Sequence, residues 1–187
     1  GLIAGGGVCG MEMKRIDRAA FWGIPALFLL AAVFHFLYGW SGQSPAVGLL
    51  APVNESVFEH MKMMALPAAL WWGLWGLKTP RPGAWYTAGL AAAVTSALAV
   101  PLLFYGYTGA LGRESFAADL LITLLAIGAG QLLGRHLLRR SRGIPAPAAL
   151  LLTACLLSAL ALLTLFPPQI PLFRDAVSGT YGLLRAG

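Results

Sequence analysis

Charge is scarce in this chain: Asp, Glu, Lys and Arg together make up 11% of its 187 residues. A water-soluble domain carries roughly a quarter of its residues as charges, so water is not the solvent for most of this surface. Cysteine is nearly missing as well, with two copies. Cys9 lies in a glycine-rich N-terminal stretch and Cys155 in an apolar run, so neither a disulfide nor a thiolate metal site is expected. The chain has no phosphate-binding glycine loop, no Gly-x-Ser-x-Gly elbow, no haem-attachment motif and no dinucleotide fingerprint, which removes the common soluble-cofactor chemistries. The formal charge of +6 is dispersed in short clusters between apolar runs. Without a basic helix face or a stacking platform, no nucleic-acid partner is expected.

What the chain has in abundance is apolar length. Hydrophobic residues are 58% of the total and the mean hydropathy is +0.75, values that call for a lipid bilayer as partner. A spanning helix takes roughly 20 apolar residues, and five segments qualify, near 19–40, 55–77, 84–106, 115–138 and 146–166. Tight polar turns separate them at residues 79–83, 109–114 and 141–143, which predicts an all-α bundle of five antiparallel transmembrane helices. Residues 1–13 are expected to be a flexible N-terminal tail, with Met11 or Met13 a natural start, and residues 14–187 a single membrane domain. Lys14, Arg15 and Arg18 precede the first apolar run as they would in a secretory signal. The run is as long as a full span and lacks a small-residue cleavage site, so an uncleaved first helix is the better reading.

Positive charge marks cytoplasmic loops. With the N-terminus inside, nine of the 13 basic residues fall at cytoplasmic ends: Lys14, Arg15, Arg18, Lys78, Arg81, Arg135, Arg139, Arg140 and Arg142. Trp22, Trp75, Trp85 and Tyr86 would form the inner aromatic belt, and Tyr38, Trp40, Tyr105 and Tyr107 the outer one. The acids segregate the opposite way. Glu55, Glu59, Glu114, Asp119 and Asp175 lie at the outer end with His35 and His60, leaving Glu12 and Asp17 inside. The proline-rich, apolar stretch 166–173 suits neither a helix nor a solvated extension. Residues 167–187 are therefore expected to fold over the extracytoplasmic face, where Asp175 and Tyr181 would cover the polar cluster.

The densest chemistry is in residues 52–62, Pro-Val-Asn-Glu-Ser-Val-Phe-Glu-His-Met-Lys, where ionisable groups stand at the head of a predicted span. Such groups are costly in a membrane and mark a functional site by default. On a helix beginning at Glu55, Glu55, Glu59 and Lys62 share one stripe and Ser56 and His60 the next. The bland alternative is that Asn54 caps the helix, Glu55 meets the helix dipole and Glu59 pairs with Lys62. The expected catalytic set is Glu55, Glu59, His60, Lys62 and Asp119. His35, Glu59 and His60 could hold a divalent metal such as zinc, since two imidazoles and a carboxylate are a common ligand set. No His-x-x-x-His or His-Glu-x-x-His spacing supports this, and Lys62 would already neutralise Glu59. Asn54, Tyr107, Asp175 and Tyr181 are supporting candidates. Gln131 reads as interhelical glue, and Gly130 and Gly134 as a close-approach pair.

Residues 52–62, together with His-Phe-Leu-Tyr-Gly-Trp-Ser-Gly at 35–42 and Pro-Leu-Phe-Arg-Asp-Ala-Val-Ser-Gly-Thr-Tyr-Gly at 171–182, resemble an uncharacterised family of small multi-pass membrane proteins, domain of unknown function 6512. The resemblance covers the chain from about residue 20, with Phe58 where the family usually has Trp. It implies a bacterial inner-membrane protein and supplies no activity. Three functions fit these residues: a membrane-embedded hydrolase or transferase acting on a small molecule or lipid, either through a metal held by His60, His35 and carboxylates or with Glu55 and Glu59 as acid and base; a small transporter or ion-binding protein; and a non-catalytic assembly partner.

Overall fold

The computed structural model describes residues 2–77 and 79–183, with side chains from residue 10 onward. Its elements are α1 (Leu2–Trp40), the short α2 (Pro45–Gly48), α3 (Val57–Gly76), α4 (Pro82–Leu111), α5 (Phe116–Arg140), α6 (Ala146–Leu165) and a 3₁₀ turn at Pro171–Phe173. Proline at or next to the first helical position opens α4 and α6, where its missing N–H costs nothing. Gly112, at φ +67°, closes α4 by donating its N–H to Thr108 O. The end of α4 therefore lies at Leu111, beyond the expected 106, because an apolar helix runs on until a residue tolerant of the left-handed region stops it. At the other terminus, the stretch expected as a tail continues the helical backbone of α1.

α3 is the central helix. It packs against α1, α4, α5 and α6, and the six consecutive residues Met63, Met64, Ala65, Leu66, Pro67 and Ala68 are all buried. A helix buried around its whole circumference is a core helix. Four others, Gly10–Trp40 of α1 together with α4, α5 and α6, are long and apolar enough to cross a membrane. α3 is not among them, because Glu59, His60 and Lys62 lower its hydropathy. The contrast with α6 is sharp: α6 exposes Leu150, Leu151, Leu152 and Leu162, an apolar surface that suits lipid and not water.

Small residues allow the close packing. Ala88, Ala92, Ala93, Ser96 and Ala97 line the buried side of α4. Across from them, a Cβ on Gly130 would stand 2.1 Å from Ser96 Oγ, and one on Gly134 would stand 2.7 Å from the Trp72 ring. Two tertiary details differ from the sequence-based expectations. Trp85 is fully buried against Trp72, with ring centroids 5.7 Å apart, so it is a core residue and not part of an interfacial belt. Gln131 is fully buried with no hydrogen-bond partner for its amide among the described residues. It makes no interhelical hydrogen bond of the kind expected, and α1 approaches it closely at Gly23, where a Cβ would stand 2.6 Å from Gln131 Oε1.

The two ends of the bundle differ in chemistry. At one end the acids are paired with arginines: Asp17 with Arg135 at 2.8 Å and Arg139 at 2.7 Å, and Glu12 with Arg81 at 3.0 Å. Lys78 and Arg185, counted in the charge asymmetry, lie outside the described residues, as does the side chain of Cys9. Cys155 is free and exposed on α6. At the other end, the 41–56 loop and the C-terminal segment fold over the tops of the helices.

Candidate functional site

The site begins with where α3 starts. Asn54 does not cap it. The N-cap is Ser56, whose hydroxyl accepts the Glu59 N–H at 3.3 Å, while Asn54 Oδ1 accepts the Ser56 N–H at 3.0 Å in a turn preceding the helix. Glu55 is thus off the helix, and the stripe predicted to join it to Glu59 and Lys62 does not form. His60, on the first turn, donates from Nδ1 to Ser56 O at 2.9 Å. A carbonyl oxygen only accepts, so this bond places a proton on Nδ1 and makes Nε2 the nitrogen turned away from the backbone.

Nε2 points into a cluster. Glu55 Oε1 is 3.5 Å from His35 Nε2 on α1, and Glu55 Oε2 is 3.7 Å from His60 Nε2. The two imidazole rings are tilted, with centroids 5.7 Å apart. One ligand atom from each of the three residues lies within 4.8 Å of the others. Two ligands of one tetrahedral ion, each about 2.0–2.1 Å from it, stand roughly 3.4 Å apart; the two carboxylate–imidazole contacts approach that value, each through a different oxygen of Glu55. The side chains of His35, Glu55 and His60 are 28%, 45% and 30% exposed, which leaves room for a further ligand or a substrate.

The cluster forms part of the wall of a cavity of about 1150 Å³ bounded by α1, α3, α4, α5 and the C-terminal segment. Asp119, on the first turn of α5, reaches the same cavity and accepts a hydrogen bond from the Tyr107 hydroxyl at 2.7 Å. Tyr105, Glu114, Arg174, Asp175, Ser178 and Tyr181 also line it.

Glu59 and Lys62 belong elsewhere. They form an ion pair at 2.6 Å in which both side chains are 2% exposed. Lys62 Nζ also donates to Gly48 O at 2.7 Å and to Thr164 Oγ1 at 2.9 Å. Glu59 accepts from the Thr164 hydroxyl at 2.9 Å and from the Val53 N–H at 3.2 Å. All three Lys62 donors are taken, and neither residue lines the cavity. The network pins the 48–53 loop and the end of α6 to α3. The metal-ligand set expected from sequence therefore changes by one member, with Glu55 in place of Glu59.

The C-terminal segment completes the site. Phe173 stacks on Phe58 with centroids 4.3 Å apart, and Asn54 Nδ2 donates to Gly182 O at 3.1 Å. Arg174 and Tyr181 pair as an isolated antiparallel bridge, which closes the turn holding Asp175. Asp175 accepts the backbone N–H of Glu55 at 3.0 Å, of Ser178 at 3.1 Å and of Val177 at 3.3 Å, together with the Ser178 hydroxyl. Burial pushes its pKa up, but the Ser178, Val177 and Glu55 donors outweigh burial and hold the carboxyl below the ordinary aspartate value of 3.8. Asp175 is a positioning residue that fixes the backbone from which Glu55 projects.

A family model for a family of unknown function, DUF6512, matches residues 11–183. The chain belongs to that family. No curated protein and no solved structure matches it. The DUF6512 match spans all of the site-forming segments, from α1 to the C-terminal turn.

Several site residues escaped the sequence reading: Thr164 and Gly48 in the closed network, Arg174 and Ser178 at the cavity, and Glu55 as the carboxylate between the histidines. One signal was available for Glu55. Ser56-Val-Phe-Glu59 has the Ser-x-x-Glu spacing of a capping box, which starts the helix at Val57 and leaves Glu55 free of it.

Proposed function

We propose that this chain is a membrane protein that binds a divalent metal through His35, Glu55 and His60 and uses it to hydrolyse or transfer a group at the extracytoplasmic end of the bundle. The observation that carries the reading is the His60 geometry: Nδ1 is committed to Ser56 O, and Nε2 is directed at Glu55, which also meets His35. An imidazole oriented through its other nitrogen is the usual arrangement of a metal-bound histidine. Two imidazoles and one carboxylate with an open position match catalytic zinc centres and non-haem iron centres. A metal there would supply a Lewis acid. Asp119, with Tyr107 holding one oxygen, supplies a second carboxylate in the cavity for proton transfer. Glu59 and Lys62 have no catalytic part in this reading.

In this reading the bundle crosses the membrane five times, four crossings being the long apolar helices and the fifth α3. Its 20 residues span about 30 Å at 1.5 Å per residue, the Glu59–Lys62 pair at its head is neutralised internally, and its second half exposes the apolar Leu70 and Leu74. The segregation of basic residues favours a cytoplasmic N-terminus, in a bacterial inner membrane.

The test is elemental analysis of protein purified in mild detergent without chelator, repeated after titration with zinc, manganese and ferrous iron. About one metal per chain is expected, lost in His35→Ala, Glu55→Gln and His60→Ala and kept in Glu59→Gln. A wild-type chain that takes up none of the three metals, or a His60→Ala chain that keeps its metal, overturns the proposal.

A further inference from the structure

The cavity has an opening whose character points to its substrate. At the basic end, α1 and α5 are tied together by Asp17 with Arg135 and Arg139, and they pass in steric contact at Gly23 and Gln131. Toward the site end the same two helices face the cavity instead. There Ala32 and Phe36 of α1 and Phe116 and Leu120 of α5 line it while remaining exposed, Phe36 at 54%, Phe116 at 79% and Leu120 at 42%. On its α1–α5 side the cavity therefore has apolar lips, while Glu55, Arg174 and Ser178 are exposed on the side of the 41–56 loop and the C-terminal segment. Facing water, such lips would cost roughly 25 cal/mol per Å²; facing hydrocarbon they cost nothing, and they admit a molecule that is itself apolar there.

The interior continues this pattern. Phe28, Val100, Met63 and Ile122 line the deep part of the cavity. Phe28 is seven residues before His35 on α1, about 10 Å along the axis, which is room for a length of acyl chain. The polar groups gather at the other end: the His35–Glu55–His60 cluster, the exposed Arg174, which makes no ion pair among the described residues, and the carboxylates Glu114 and Asp119. A guanidinium lining the same cavity as a metal suits a phosphate, and two further carboxylates in that space suit an ammonium.

We infer that the substrate is a zwitterionic phospholipid that enters sideways from the bilayer between α1 and α5, its chain in the apolar depth and its phosphate at Arg174 and the His35–Glu55–His60 cluster. The head assignment rests on the metal reading above; the lateral route does not.

The experiment titrates the full, metal-loaded, delipidated chain, in a detergent without phosphate, with dodecanoyl lysophosphatidylethanolamine and, separately, with phosphoethanolamine, the same head without a chain. Ala32→Trp sets an indole in the opening at an exposed position, so folding is not at stake. Leu98→Trp, at a 57% exposed position on α4 outside the cavity, is the control. Ala32→Trp is expected to weaken lysolipid binding by at least roughly tenfold without changing metal content, and Leu98→Trp to leave both unchanged. Phosphoethanolamine binding as tightly as the lysolipid, or a silent Ala32→Trp, overturns the inference. If the chain holds no metal yet binds the lysolipid in a manner sensitive to Ala32→Trp, the metal reading fails and the lateral route stands. If it holds metal and ignores the lysolipid, the lateral route fails and the metal reading stands.

Discussion

Glu59 and His60 are adjacent in the chain, yet they belong to two opposite kinds of polar cluster. Glu59 enters a closed set with Lys62, Thr164, Gly48 and Val53, in which both charges are buried and all three lysine protons have acceptors. His60 enters an open set with His35 and Glu55, whose contacts are long for hydrogen bonds at 3.5 Å and 3.7 Å and whose side chains face a cavity. Both sets contain a carboxylate and nitrogen bases, and both sit at the same end of the bundle. What separates them is satisfaction. A buried charge is tolerable only when paired and fully hydrogen-bonded, and a group in that state has nothing left to offer a ligand. Unsatisfied capacity directed into a cavity is what a metal or substrate can use.

The contrast can be broken first at Lys62. Lys62→Met leaves Glu59 charged, buried and without its cation, and should cost about 3–5 kcal/mol, seen as a large fall in thermal stability in detergent. Glu59→Gln combined with Lys62→Met should recover much of that loss and keep the metal. Metal lost in the double variant would show that the two clusters are not separate.

Next in size is Thr164→Val, which removes the hydroxyl that donates to Glu59 and accepts from Lys62. About 1–3 kcal/mol of stability should go, with metal content unchanged. A comparable loss of metal would mean that α6 helps to shape the open cluster after all.

Asp175→Asn should have a smaller effect on stability, about 1–2 kcal/mol, but should weaken metal retention by about tenfold through the Glu55 backbone. Its pH dependence follows from the sign of the shift. Because the folded carboxyl titrates below the ordinary value of 3.8, its stabilisation is complete above the unfolded pKa and is lost as pH falls through the folded one. Wild-type protein should therefore lose C-terminal docking only in that acid range, measured by protease sensitivity of residues 167–183, and Asp175→Asn should lack that transition.

The smallest effect on the fold is expected at the open cluster itself. His60→Ala, at a half-buried position whose ring hydrogen-bonds Ser56 O alone among the described residues, should change apo stability by less than about 1 kcal/mol. If His60→Ala proves as destabilising as Lys62→Met, the open cluster is structural and the distinction collapses.

How much of this was legible follows the range of each interaction. The apolar runs that became α4, α5 and α6 were visible because a helix long enough for a bilayer needs only local composition. The gathering of His35, His60, Glu55, Asp119 and Asp175 at one end was legible because antiparallel helices of equal length return alternate boundaries to the same end. The choice between Glu55 and Glu59 was not. It turns on a helix start two residues later than expected, which leaves Glu55 outside the helical repeat and off the face it was to share with Glu59 and Lys62. The partners of Lys62 were hidden for another reason: Gly48 O and Thr164 Oγ1 are 14 and 102 residues away, and nothing local announces them.

Hydropathy and the placement of charge determined by themselves that this chain is a helical membrane protein with its reactive side chains gathered at one end, since both depend on solvent transfer summed over local segments. Only the tertiary structure decided which of those side chains neutralise one another and which stay available, since pairing depends on distances of a few ångströms between residues as far apart as Glu55 and Asp175.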